Sequence, residues 1–231
     1  MISKINLHNP GDNMEKSRII SIVGEKGGTG KSTFAQALAV YCLKEKGLDT
    51  TLVDADPQET TSDWADERNK NPDITPINIV QKTGFIVHTL KDLSKRYQVV
   101  IVDCGGQDSE AMRSALIVSD LAIFPFRPKR RDLKTLVKME KVLRDAKVHN
   151  ETLKYVALIT QCPTLPSQLS RIDQAKGACA SFGIKPLKNI TYYRNAYDDC
   201  DESGLTVLEF TDDKARDEIV SIGNEIWEIL K

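Results

Sequence analysis

Short apolar runs alternate along the chain with longer stretches in which apolar residues recur at helical spacing. Strand-length runs fall at residues 18–23, 50–54, 77–81, 98–103, 121–125, 154–160 and 187–192. Between them, apolar positions recurring every three to four residues predict helices over 31–46, 58–69, 85–96, 108–118, 131–148, 167–182, 194–202 and 212–230. This alternation predicts an α/β fold: a doubly wound, mostly parallel sheet with helices on both faces. Internal repeats, low-complexity tracts and a convincing linker are missing from the sequence, so a single domain is expected over residues 18–231. Residues 1–17 are polar, contain Asn9-Pro10-Gly11-Asp12 and lack apolar periodicity, which predicts a flexible arm. Met14, just before the first strand, leaves a later start open.

The first apolar run leads into the chemistry. Residues 26–33 read Lys-Gly-Gly-Thr-Gly-Lys-Ser-Thr. Gly27, Gly28 and Gly30 let the backbone curl until successive N–H groups point at one anion. Lys31 supplies positive charge for the β- and γ-phosphates, Ser32 offers a hydroxyl to Mg²⁺, and the helix that begins there adds its positive end. Together with Thr29 and Thr33, these residues form the expected nucleotide contacts.

Two further strands end in carboxylates. The second runs into Asp54-Ala55-Asp56-Pro57-Gln58, the fourth into Asp103-Cys104-Gly105-Gly106. Ligands of parallel sheets sit beyond the carboxyl ends of the strands, so these acids should converge on the phosphate loop. There they can hold Mg²⁺, usually through its waters, or orient an attacking water. Asp103 matches a Walker B aspartate, and Gly105-Gly106 permits a switch that senses the γ-phosphate.

Glu25 stands where the usual Walker pattern has glycine, and Lys26 opens the loop with a second lysine. These residues resemble the deviant Walker A motif of the ParA/MinD ATPases, and Asp54-x-Asp56-Pro57-Gln58 resembles switch I of ParA-type DNA-partition ATPases. Residues 119–128, Tyr193-Arg194-Asn195-Ala196-Tyr197 and Gly204-Leu205-Thr206-Val207 extend the resemblance over roughly 18–230, more weakly in the second half. It implies a P-loop NTPase that uses ATP and Mg²⁺, in the small form without an N-terminal helix-turn-helix domain. It also implies a homodimer that sandwiches ATP, with Lys26 reaching the partner's phosphates. Asp56 would position the hydrolytic water, making Lys26, Lys31 and Asp56 the catalytic set. Asp54 would support the metal shell beside Ser32 and Asp103, and Thr33 would touch the α-phosphate. The implied partners are duplex DNA, bound non-specifically in the ATP state, and a small ParB-like centromere-binding protein. The implied location is cytoplasmic, on the nucleoid. One departure concerns the base. MinD-like relatives often carry Asn-Arg beside adenine, where this chain has Thr160-Gln161-Cys162. No Asn-Lys-x-Asp guanine motif is present, which favours ATP over GTP.

With a formal net charge of -1 over 231 residues, DNA contact would have to come from a local patch. Between Arg127 and Lys147, nine basic residues stand against three acidic ones. Lys134, Lys138 and Lys141 share one helical face there. A solvated helix face and a surface for duplex phosphates both fit this pattern. Without aromatic interleaving, single-strand stacking does not. The resemblance adds Arg194, Lys214 and Arg216 as candidates. The last helix has a mostly acidic polar face, the opposite of a membrane-surface helix, so core packing and no membrane partner are expected. No apolar run reaches the ~18–20 residues needed to span a bilayer. Five scattered cysteines point to a reduced compartment, and the three histidines carry no readable role. Two rivals remain: a positioning ATPase of the same superfamily with a non-DNA cargo, and an ATP-dependent synthetase resembling dethiobiotin synthetase.

Overall fold

The computed structural model describes residues 16–106 and 108–231. The arm expected over 1–17 therefore lies outside the described residues, apart from Lys16 and Ser17. Seven strands form one sheet: β1 (Arg18–Ile22), β2 (Thr50–Ala55), β3 (Asn78–Gln81), β4 (Val99–Cys104), β5 (Leu121–Phe126), β6 (Lys154–Ile159) and β7 (Lys185–Pro186). Their order is β3-β2-β4-β1-β5-β6-β7 and every pairing is parallel.

The central strands are apolar on both faces because both faces are covered. Ile19 and Val23 of the first strand segment, with Val100 and Val102 of β4, join one core; Ile20 and Ile22, with Val99 and Ile101, join the other. The first core is closed by α3 (Val87–Leu93), α4 (Glu110–Val118), α6 (Thr135–His149) and α7 (Ser170–Ser181). The second is closed by α1 (Lys31–Lys44), α2 (Thr60–Lys70) and α9 (Asp213–Leu230). Helix α1 is buried almost all round, between the sheet and α9. Ile219, Ile222 and Ile226 of α9 are buried, as the apolar stripe of that helix predicts, and Ile229 packs against the same core. All five cysteines are free and buried. No helix among the described residues is long and apolar enough to cross a membrane.

Three expectations need correction. The helix expected over 131–148 is broken into α5 (Arg130–Leu133) and α6, with Lys134 between them. Asp132 in α5 turns its carboxylate inward to two cations, and the Thr135 hydroxyl takes the Asp132 carbonyl at 2.6 Å. The strand expected over 187–192 is displaced and interrupted: β7 lies just before it, at Lys185–Pro186, and beyond β7 Leu187 N and Thr191 N still donate to the Ala157 and Ile159 carbonyls of β6 at 2.8 and 3.1 Å. Between and just after those contacts, three backbone N–H groups go to acids of α9. Lys188 and Asn189 donate to Glu225 at 2.7 and 3.0 Å, and Tyr192 donates to Glu218 at 3.1 Å. The acidic face of α9 thus fastens the edge of the sheet. The short helix expected over 194–202 is one turn, α8 (Ala196–Asp199), followed by a 3-10 turn at Asp201–Ser203.

Candidate nucleotide site

The parallel register brings the site together. Ile22 pairs with Asp103, and Asp103 pairs with Asp54, so three adjacent strands deliver the phosphate loop and two carboxylates to one edge of the sheet. The loop fills the gap between β1 and α1. Gly28 and Gly30 adopt φ of 70° and 81°, the left-handed region that a side chain disfavours. Lys31 is the first residue of α1, and its buried amine donates to the Lys26 carbonyl at 3.1 Å. Burial pulls the Lys31 pKa below its ordinary value, against the opposing charges of Asp103 and Asp56. An anion at the loop would relieve that cost by adding negative charge beside the amine.

The carboxylates divide the work differently from expectation. Asp103 is 1% exposed, and burial raises its pKa to about 6, with the hydroxyls of Thr61 and Ser32 acting in the opposite direction. Thr61 donates to Oδ2 at 2.7 Å, while the buried Oδ1 has no hydrogen-bond partner among the described residues. A buried carboxylate oxygen left without a donor, close to a serine hydroxyl at the mouth of a phosphate loop, fits Mg²⁺. The described residues hold no group of three or more His, Cys, Asp or Glu able to bind a metal. Mg²⁺ needs few protein ligands when phosphate oxygens and water supply the rest.

Asp54, expected in the metal shell, is committed elsewhere. Its Oδ2 accepts from the backbone and hydroxyl of Ser62 at 2.7 and 2.8 Å, and its Oδ1 accepts from Asp56 N at 3.1 Å. It ties down the start of α2 and the loop that carries Asp56, so it supports the site through the backbone. Asp56 itself is half-buried and lines a cavity of about 520 Å³ with Gly27, Gln58, Gly105, Gly106 and Ser109. Gly105 and Gly106 are small because space is short. A Cβ at Gly105 would sit 3.2 Å from the Asp56 carboxyl, and one at Gly106 would sit 3.2 Å from Gly27 N.

Sequence reasoning missed Thr61 and Asp132. A threonine in a helical stretch carries no signal of its own, and Asp132 was counted only as a minor acid in a basic run. Asp132 receives the Lys26 ammonium as well as Arg127 Nε, the latter at 2.7 Å. Lys26 therefore pairs within its own chain. Gln161, at φ 48°, donates to the Gly28 carbonyl at 3.2 Å, and the Thr160 hydroxyl donates to the Thr29 carbonyl at 2.8 Å. The segment that departs from the expected base-contact motif thus braces the phosphate loop. It also lines a small cavity of about 50 Å³ with Gly30, Thr33, Phe34, Thr191 and Tyr197.

The basic candidates separate into two groups. Arg194 is held by Glu218 at 2.7 Å, Arg216 by Glu45 at 3.2 Å and Lys138 by Glu25 at 3.4 Å. Lys134, Lys141 and Lys214 are exposed and make no ion pair among the described residues. Arg194 is thereby removed from the free cations, because its partner also fixes Tyr192 and Tyr197.

Burial of Asp103 has a cost that is testable. A carboxyl raised from 3.8 to about 6 binds protons more readily folded than unfolded across that interval. Stability accordingly falls as pH rises through it, and stays reduced above pH 6. Asp103→Asn should raise the stability of the nucleotide-free protein at pH 7 by about 3 kcal/mol and change it little below pH 4. Thermal melts at both pH values check this; an unchanged or lower melting temperature at pH 7 would contradict it.

Residues 20–191 match the model of the CobQ/CobB/MinD/ParA nucleotide binding domain. Protein ParA of Rhizobium radiobacter is 35% identical over 114 residues, a match spanning 49% of this chain and 50% of that protein. Maintenance of carboxysome distribution protein A of Gloeobacter kilaueensis is 27% identical over 207 residues, covering 87% of this chain and 88% of that one. Among solved structures, the ATP complex of Cyanothece McdA superposes with a TM-score of 0.77 at 11% identity, over 93% of this chain and 98% of that one.

Proposed function

Because the chain belongs to the CobQ/CobB/MinD/ParA nucleotide-binding family, we propose that it is an Mg²⁺-dependent ATPase that dimerises around ATP and uses the cycle to partition DNA. The observation that carries this reading is the second lysine. Lys31 already serves the phosphate cradle from inside, whereas Lys26 stands at its front, 35% exposed, with its amine directed to Asp132. A lysine so placed is spare for the site of its own chain and suited to reach a facing one.

The chemistry follows from the residues. Backbone N–H groups of residues 27–33 and the start of α1 cradle the phosphates, and Lys31 neutralises the β- and γ-oxygens. Ser32 and Asp103 would hold Mg²⁺, which would supply charge neutralisation for the phosphates. Asp56, facing the cavity beside Gly105, accepts a hydrogen bond from water and aims it at the γ-phosphorus. The water oxygen forms the new bond as the bond to the bridging oxygen breaks. ADP leaves with that electron pair, and the water's proton passes to phosphate. Lys26 of the partner subunit would add charge where it develops, as the ATP sandwich brings the two loops face to face. Gly105 and Gly106, pressed against Asp56 and Gly27, would move with loss of the γ-phosphate and loosen the dimer. A ParB-like partner would act on that step.

Lys134, Lys141 and Lys214 support the DNA reading, since each is exposed and without a salt-bridge partner among the described residues. The test is retention of non-sequence-specific duplex DNA by the ATP-bound protein as salt is raised. Lys134→Glu with Lys141→Glu should weaken binding by about tenfold or more and lower the salt slope by about 1 per lost phosphate contact. A second reading, positioning of a non-DNA cargo, is favoured by the nearly full-length match to a carboxysome distribution protein. Failure to retain DNA at any salt, with ATP-dependent dimerisation intact, would select it.

A further inference from the structure

Asp132 is a buried carboxylate, 1% exposed, shared by two cations of unequal reach. Lys26 pairs with Oδ1; Arg127 Nε donates to Oδ2 at 2.7 Å, and its Nη2 approaches Oδ1 at 3.5 Å. Burial alone would push this acid up, yet the hydrogen bonds and charges of Arg127 and Lys26 hold it below the usual carboxylate range. It is therefore an anion that needs a counter-ion at all times. Stripping a buried carboxylate of its only partner is strongly unfavourable. Here one partner can leave without that penalty, because Arg127 stays. The Arg127 side chain is itself only 18% exposed and lies against the phosphate loop, with its Nη1 placed 3.9 Å from where a Gly28 Cβ would be. Lys26 is the more exposed of the two, on a mobile four-carbon stem, and sits in the loop that binds the phosphates.

We infer that Asp132 is a positioning residue that holds Lys26 within its own chain, and that Arg127 takes over Asp132 when Lys26 leaves for a phosphate of the facing subunit. The inference rests on the cross-subunit role proposed above for Lys26. An ammonium seated on Asp132 is unavailable across an interface, so the two partners of Lys26 compete. The strength of the resting pair then sets how much ATP is needed to assemble the dimer. Among the described residues, the other ion pair between the front of the loop and this helical stretch, Lys138 of α6 with Glu25, is 3.4 Å long and its lysine is 72% exposed. Such a pair is too weak to act as the hold.

The two acceptor-side variants should move dimerisation in opposite directions, which a purely structural role would not produce. In Asp132→Asn, Lys26 loses its resting partner, and the ATP concentration that gives half-maximal dimer should fall about tenfold. In Arg127→Gln, Lys26 becomes the sole counter-ion of Asp132, and that midpoint should rise about tenfold. Combining both substitutions should remove the Arg127→Gln defect. Light scattering across an ATP titration reads the midpoint, while ADP binding and the melting temperature report whether each variant is folded. Shifts in the same direction, or none, would overturn the inference. If one variant does not fold, the other decides alone by the sign of its shift. Lys26→Gln separates this failure from that of the underlying reading. Loss of dimer in Lys26→Gln without opposed shifts removes only the Asp132 hold. Normal dimer in Lys26→Gln removes the cross-subunit role and the hold with it.

Discussion

Lys31→Ala should lower ATP affinity by about a hundredfold or more while leaving the fold in place. Lys31 is a buried cation that feels the charges of Asp103 and Asp56, and its amine donates to the Lys26 carbonyl at 3.1 Å. Removing it takes away the main charge offered to the β- and γ-phosphates and exposes those phosphates to two uncompensated carboxylates. Loss of a buried charge partner costs about 3–5 kcal/mol, and about 1.4 kcal/mol corresponds to a factor of ten. The free protein should tolerate the change. Lys31 opens a helix, where alanine is favourable, and its charge is already disfavoured by burial. Calorimetric titration with ATP, together with a thermal melt of the free protein, checks both halves; near-normal affinity would remove Lys31 from the site.

Asp56→Ala should leave ATP binding nearly unchanged and slow hydrolysis by about 10²–10⁴-fold, the usual contribution of a group that orients and accepts from the attacking water. Asp56 is suited to this because its carboxyl is not consumed by the fold. One oxygen accepts a single hydrogen bond, from Gln58 N at 3.0 Å, and the side chain faces the open cavity beside Gly105. Asp54 is the contrast. It is fully buried, and both its oxygens are occupied by Ser62 and Asp56 N. Asp54→Ala should therefore damage the loop and the start of α2. Single-turnover hydrolysis by Asp56→Ala with saturating ATP is the measurement, and an unchanged rate would exclude Asp56 from the chemical step.

The sheet and the phosphate site were legible in the sequence because they depend on local rules. An apolar strand followed by Gly-rich loop and helix specifies its own geometry at residues 19–34, and Asp103 follows an apolar strand whose place in the sheet sets its position. What escaped was set by partners distant in sequence. The pairing of the last strand with β6 is interrupted where Glu225, on the last helix, takes the N–H groups of Lys188 and Asn189. The pairing of Asp132 with Lys26 joins residues 106 apart in sequence. Arg194 reads as a free cation until Glu218 is folded against it. Asp54 and Asp56 share one short motif, and only the hydrogen bonds of Ser62 tell the anchoring acid from the one left facing the cavity.

The central claim is that Lys26 turns a nucleotide-binding subunit into half of an ATP-dependent dimer. Its most direct test is the mass in solution of Asp56→Ala protein, in which ATP should persist, with and without Lys26→Gln. The account predicts a monomer with ADP, a dimer with ATP, and a monomer in both states once Lys26 is replaced, although each subunit still binds ATP. An ATP-dependent dimer that persists without Lys26 would contradict it.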